Sequence, residues 1–293
     1  MSEKFGPGFS LIGSVLHPTD FSEASLVAFN HALRVAMLAQ SKFTLLHVAK
    51  DRPSKWSDFP GIRETLERWG TLPKGSPRSA VGELGIEASK VVAGEDEPVD
   101  AVMRYLHEHP ADLIVLATSQ RDGRVRWLGK SVAEPVARKA GEMTLLIPGD
   151  VEGEGFVSSR DGSVNLNKIL VPVAATPNPQ AAVNTAALMV EQLNIPQGAF
   201  ILMHVGTSNT MPACRYPEIP GWTWDKELRS GEVIGNIVNA AKDHKVGLIV
   251  MATDGRNGFL DGIRGSHSER VLRHGTAPLL TVPISSRVSR YLA

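Results

Sequence analysis

Short apolar runs alternate with longer amphipathic stretches along this chain. Leu11–Leu16, Phe43–Val48, Lys90–Ala93, Leu113–Ala117 and Thr144–Ile147 are strand candidates in the first half. Ile169–Val173, Ala199–Val205, Leu248–Ala252 and Leu279–Val282 are their counterparts in the second. Runs this apolar predict strands covered on both faces, as in a parallel sheet. Helical periodicity lies between them. Ser22–Ala39 sets Leu26, Phe29, Leu33, Ala36 and Met37 on one side, and Val99, Val102, Met103 and Leu106 form a second stripe. The alternation predicts α/β domains with right-handed crossovers. The third strand of the second half is indistinct, with Thr223–Leu228 the nearest candidate.

The pattern is written twice. Shifted by 135 positions, His109–Pro148 falls on His244–Pro283 without a gap, and about fourteen of forty positions are identical. Leu113-Ile114-Val115 matches Leu248-Ile249-Val250, and Ser131 and Glu134 match Ser266 and Glu269. At a larger offset, Val15-Leu16-His17-Pro18 resembles Ile169-Leu170-Val171-Pro172, and Leu45-Leu46-His47-Val48 resembles Leu202-Met203-His204-Val205. The first copy is therefore longer in its middle, within 50–90. The expected division is a domain over 1–150, a Gly-, Ser- and acid-rich linker over 151–166, and a domain over 167–293. Phe156 and Val157 are apolar enough to dock on a domain.

The 293 residues suffice for two domains with separate cores. Lys+Arg and Asp+Glu both total 31, so bulk charge makes no case for nucleic acid or an anionic membrane as partner. The single cysteine, Cys214, rules out an intramolecular disulfide framework and a CxxC site, and fits a reducing cytoplasm. The N-terminal residues lack the basic-then-apolar pattern of a signal peptide, and no apolar run approaches the ~18 residues of a membrane span.

Ligands of open parallel sheets bind beyond the carboxyl ends of the strands, so the loops after the first and fourth strands carry the interest. After the fourth strand of the second half comes Thr253-Asp254-Gly255-Arg256-Asn257-Gly258-Phe259-Leu260-Asp261-Gly262-Ile263-Arg264-Gly265-Ser266. Its glycines let backbone N–H groups approach a ligand. Ser266 with Glu269 forms a capping-box pattern, which predicts a helix start with free N–H groups suited to phosphate. A flexible surface loop with an ordinary cap fits the same residues.

With these segments in view, both halves resemble universal stress protein domains, and the chain resembles a tandem member of that family. The resemblance implies two tandem flavodoxin-like (adenine nucleotide alpha hydrolase-like) domains, each a five-stranded parallel sheet with helices on both faces. Nucleotide-binding members carry G-x2-G-x9-G-[ST] after the fourth strand, an Asp after the first, and often an apolar-His-Val ending the second. Carried over to the second half, this implies an adenine-nucleotide site of Pro172, Val173, Ala174, Val205, Met251, Ala252, Gly255, Gly265 and Ser266. Ala252 stands where the first Gly belongs, and Ala174 replaces the Asp. The lost hydrogen bond costs about 0.5–1.5 kcal/mol, up to tenfold in affinity. In the first half Pro18-Thr19-Asp20 keeps the Asp and Val48 the strand end, but Ala117, Gln120 and Lys130 occupy the Gly positions and only Ser131 remains. Arg121, Arg124, Arg126 and Lys130 of that degenerate site could hold an anion by side chains, or form a solvated basic loop.

Other motifs dissolve on inspection. Gly123…Gly129-Lys130-Ser131 has five intervening residues where a P-loop needs four, and follows the wrong strand. His107-x-His109 lacks companion metal ligands, so no metal site is expected. His47 and His204 read as satisfied buried histidines. The aromatics gather in two inserts, Trp56, Phe59, Ile62, Leu66 and Trp69 in the first half and Tyr216, Ile219, Trp222 and Trp224 in the second; they either cover the sheets and the interface between halves or form a protein-docking patch.

The expectation is a cytoplasmic stress-response protein that binds ATP or another adenine nucleotide weakly through its second domain, with no catalytic residues and little or no catalysis. The alternative is a scaffold without a nucleotide. The halves are expected to pair as an intramolecular pseudo-dimer, and a homodimer of whole chains stays open.

Overall fold

The first long helix begins where its sequence demands. Ser22, in extended conformation, accepts the Ser25 N–H on its hydroxyl, and Glu23 places an acid in the first turn. The helix ends at Gln40, which turns left-handed. Its buried side carries Ala28, Phe29, Ala32, Leu33 and Ala36, all shielded from solvent. A computed structural model describes residues 10–49, 55–94, 97–121, 124–126, 133–148, 155–254 and 277–286, with Ser268, Arg270, Val271 and Gly275. The chain divides into two units, one built mainly from Ile12–Ala140 with Thr144–Asn165, the other mainly from Leu166 onward.

The N-terminal unit runs β1 (Ser14–Pro18), α1 (Glu23–Ala39), β2 (Lys42–Ala49), α2 (Ile62–Arg68), α3 (Ala80–Glu83), β3 (Glu87–Gly94), α4 (Pro98–Glu108), β4 (Leu113–Arg121), β5 (Arg124–Arg126), α5 (Ala133–Ala140) and β6 (Met143–Pro148). Its sheet has the order β3-β2-β1-β4-β6, with β2 and β4 both parallel to β1. Val15, Leu16, Leu45, Leu46, Ile114 and Val115 fill its core. Pairing starts at Ser14 rather than at Leu11, and the Gly13 N–H just before it donates to Asp112 Oδ2 at 3.0 Å.

The C-terminal unit runs β7 (Lys168–Pro172), α6 (Gln180–Gln192), β8 (Gly198–Val205), β9 (Trp222–Arg229), α7 (Val233–His244), β10 (Leu248–Thr253) and β11 (Leu279–Pro283). The order is β11-β10-β7-β8-β9, and every pair is parallel. The indistinct third strand is thus β9, an edge strand whose burial alternates instead of being continuous. In both units the first strand lies between the second and the fourth, and the change of winding direction beside it opens a crevice at the carboxyl ends.

Residues 155–165, within the segment read as linker, fold onto the N-terminal unit. Phe156 and Val157 are buried there, and the Phe156 ring meets the His31 imidazole edge-on at 4.8 Å. The Val157 N–H donates to His31 Nε2 (3.2 Å), Asn30 Nδ2 donates to Ser159 Oγ (2.9 Å), and the Trp69 indole N–H donates to the Ser159 carbonyl (3.2 Å).

Candidate functional site

The strand order brings the predicted site residues to one end of each sheet. In the C-terminal unit the carboxyl ends of β10, β7 and β8 lie side by side, which gathers Met251 and Ala252, Pro172 to Ala174, and Val205. In the N-terminal unit β4, β1 and β2 gather Ala117, Pro18 to Asp20, and Val48 in the same way.

Both units fasten the turn after the first strand by the same device. The Thr19 N–H donates to Leu46 O at 2.8 Å, and the Val173 N–H donates to Met203 O at 2.8 Å. A histidine ending the next strand locks the same residue: His47 Nδ1–H donates to the Thr19 carbonyl at 2.8 Å, and His204 Nδ1–H to the Val173 carbonyl at 2.9 Å. A carbonyl only accepts, so each Nδ1 carries the proton. These histidines shape the turn, and His204 Nε2 also meets the Thr210 hydroxyl at 2.9 Å.

Beyond that anchor the two units differ. In the N-terminal unit Asp20 Oδ1 accepts the Ser22 N–H (3.1 Å) and hydroxyl (2.7 Å), so the carboxylate that could meet a base or ribose is partly engaged by the chain itself. Phe21 then takes a left-handed φ of 64° and lays its ring on His47, centroids 4.1 Å apart and 22° between planes. Phe59 closes over it edge-on at 5.2 Å. In the C-terminal unit Ala174, Ala175 and Thr176 follow the anchor, small and exposed. Neither Phe21 nor its partner Phe59 is singled out as a site residue by sequence; only the place of Phe21 directly after Asp20 could have drawn notice.

The fourth strands also end differently from expectation. The N-terminal strand does not stop at Ala117. It continues to Arg121 and folds back as β5, pairing Ser119 with Arg126, Gln120 with Val125 and Arg121 with Arg124. Gln120 therefore sits in an antiparallel ribbon, not in a phosphate-cradling loop. Lys130 and Ser131 lie outside the described residues. In the C-terminal unit Met251 is buried, Ala252 half-buried, and the Thr253 carbonyl accepts the Ile284 N–H at 2.8 Å. Gly255, Gly265 and Ser266, on which phosphate binding would rest, lie outside the described residues.

The remaining candidates occupy ordinary places. His107 and His109 are exposed, and His109 packs on Tyr105 at 4.7 Å. Among the described residues no group of three or more His, Cys, Asp or Glu could hold a metal ion. Cys214 is half-buried, and burial raises its thiol pKa. His17 is fully buried, donates Nδ1–H to the Val115 carbonyl at 2.9 Å, and is pushed down to about 4 by that burial. Most of the large apolar insert residues cover their own unit. Phe59, Ile62, Leu66 and Trp69 are buried in one, while Trp222 and Trp224 pack on Phe200 in the other, and Trp56 is the exception at 64% exposure. A groove of about 380 Å³ opens at the amino ends of β1, β2 and β3, lined by Ser14, Thr44, Ser89, Tyr105 and His109, opposite the end where the site residues gather.

With this geometry in hand, comparison with known proteins is decisive for the family. The model of the universal stress protein family matches residues 12–148 and 213–283, well over half of the chain. The chain belongs to the universal stress protein family. A universal stress protein of Methanocaldococcus jannaschii is 28% identical over 137 residues, 45% of this chain and 80% of that protein. Among solved structures, a universal stress protein from Archaeoglobus fulgidus superposes with a TM-score of 0.61 at 18% identity, covering 92% of this chain and 98% of that one. A functionally unknown protein from Pseudomonas aeruginosa gives 0.58 at 13% identity, covering 96% of both chains. At such identities the likeness to these two structures speaks for the fold. Among the described residues no helix is long and apolar enough to cross a membrane.

Proposed function

We propose that this universal stress protein is a nucleotide-responsive, non-catalytic member of its family, in which the C-terminal unit binds an adenine nucleotide weakly and the N-terminal unit does not. The observation that carries this reading is the contrast at the carboxyl ends of the two sheets. One mouth presents Ala174, Ala175 and Thr176, small and exposed, beside Met251 and Ala252. The other is filled by Phe21 and Phe59, with its fourth strand running on into a ribbon. Occupancy would act by shifting the population of conformers that partners meet. Titration of the full chain with ATP by calorimetry should give at most one site per chain. Gly265→Lys, which copies Lys130 at the equivalent position, should weaken it, and unchanged affinity in that variant would reject the assignment. Purified protein should hydrolyse ATP no faster than background; sustained turnover lost on changing the segment 255–265 would make it an enzyme.

A scaffold without nucleotide is the second reading. It is favoured by the incomplete set in each unit, with Ala174 and Ala252 in one and Ala117 and Gln120 in the other. Mass spectrometry of small molecules carried through purification separates the two readings: an adenine nucleotide supports the first, and none at stoichiometric level supports the second. As for assembly, we propose that the two units serve as the intramolecular counterpart of a two-chain dimer. Sedimentation should then give the mass of a single chain.

A further inference from the structure

A sheet face that packs on a helix is normally apolar. In the N-terminal unit the face that meets α4 is apolar only in part. Side chains two apart on a strand share a face, so the strand register sorts them into rows. Pro18, Leu46 and Val91 form one apolar row, and α4 buries Val102 and Leu106 on its inner side. Two residues back along each strand the row is Leu16, Thr44 and Ser89. Two further back it is Ser14, Lys42 and Glu87. The rows at the amino ends are thus largely polar. They line the groove of about 380 Å³ together with Tyr105, Glu108 and His109 from the end of α4. That volume falls within the ~300–1,000 Å³ typical of small-molecule clefts.

The polar groups there are only loosely paired. Thr44 Oγ1 and Ser89 Oγ lie 3.0 Å apart, a bond that uses one of their two hydroxyl protons and leaves the other to donate. Lys42 Nζ stands 3.7 Å from Glu87 Oε2, and both side chains are well exposed, so this pair holds weakly. Glu108 adds a second carboxylate, which leaves no positive excess to recruit an anion. The Tyr105 ring, tilted at 41° to His109 with centroids 4.7 Å apart, adds an aromatic surface. Ser14 belongs to the frame: its hydroxyl donates to Asp112 Oδ2 and accepts the Asp112 N–H, both at 3.0 Å.

The C-terminal unit supplies the contrast. Aligned on the repeat, Ile201 stands at the place of Thr44 and is buried, and its register partner is Asp225 in place of Ser89. His244, aligned on His109, is drawn to Glu227, with Nε2 2.7 Å from Oε2, and Glu227 occupies the register place of Val91. The hydroxyl pair is therefore particular to the N-terminal unit. Adjacent hydroxyls, an ammonium and carboxylates offer donors and acceptors at the spacing of neighbouring hydroxyls on a sugar, and an aromatic ring packs on its C–H face. We infer that the N-terminal unit carries a second site, at the amino ends of its sheet, for a neutral polyhydroxylated ring of hexose size. It lies opposite the carboxyl-end residues and does not depend on nucleotide binding.

The test is saturation-transfer NMR on the full chain, with D-glucose, D-galactose, D-mannose and myo-inositol as probes at millimolar concentration. Saturable transfer is expected with at least one of them. Thr44→Ile copies the C-terminal unit and keeps a β-branched residue in the strand, and Glu108→Gln alters one exposed helix-end carboxylate; circular dichroism establishes that they fold. Each should weaken the bound probe by about fivefold or more, as the loss of one hydrogen bond to the ligand predicts, and leave the ATP titration as in wild type. Should Thr44→Ile not fold, Glu108→Gln carries the same test. Absence of saturable transfer with all four probes, or an unchanged dissociation constant in the folded variants, overturns the inference. A wild type that binds a probe but no ATP defeats the proposed nucleotide site and upholds this one.

Discussion

Gly162→Ala should destabilise the protein far more than an exposed-loop substitution normally does. Gly162 is buried in the docked segment at a φ of 68°. A Cβ there would stand 2.5, 2.7 and 2.9 Å from three atoms of the Trp69 indole, closer than real carbon contacts allow. The left-handed backbone alone costs about 1–2 kcal/mol for alanine. Displacing the indole also strains or breaks its hydrogen bond to the Ser159 carbonyl, worth about 0.5–1.5 kcal/mol, and loosens close packing. The total is roughly 2–4 kcal/mol, which at this size lowers the thermal midpoint by about 5–15 °C. Thermal denaturation followed by far-ultraviolet circular dichroism measures it. The cycle with Trp69→Leu isolates the clash, because without the indole only the backbone penalty of about 1–2 kcal/mol should remain. An unchanged midpoint in Gly162→Ala, or the same loss in both backgrounds, would show that the segment does not pack on Trp69.

Acid should destabilise the fold in a defined window. Burial pushes both His17 and His31 down to about 4, whereas the unfolded chain protonates them near 6.5. Their neutral forms are favoured by folding, so the stability is intact above 6.5 and is lost as pH falls from 6.5 towards 4, approaching about 3 kcal/mol per histidine. Urea titrations at stepped pH should show this slope, and His31→Gln should flatten it; a flat profile for wild type refutes the assignment. Ala174→Asp places a carboxylate after the first strand of the C-terminal unit and should tighten ATP by up to about tenfold, with no change counting against that position. Cys214, half-buried with its thiol pKa raised by burial, should react with Ellman's reagent more slowly than free cysteine at pH 8, and faster reaction would contradict its placement.

Much of the architecture was legible because each unit repeats one pattern of apolar strands and amphipathic helices. Predicted strands such as Phe43–Val48 and Leu279–Val282 lie inside β2 and β11, and Ser22 caps α1 where the pattern places its start. The failures share a cause. β9 was indistinct because an edge strand is half-exposed and alternates, so it lacks the continuous apolar run that marks a central strand. The polar end of β4, Ser119 to Arg121, is a strand only because Arg124 to Arg126 pair with it. The apolar pair Phe156 and Val157 hinted at docking, but their partner His31 lies more than a hundred residues earlier.

By itself the sequence determined the duplication and the α/β class, since these depend on local periodicity and on identities that repeat along the chain. The tertiary structure alone decided how the turn after β1 is packed. The left-handed turn at Phe21 is unfavourable locally and exists because His47 and Phe59, distant in sequence, repay it by stacking. Energies that close only when remote residues meet leave no mark on the local pattern.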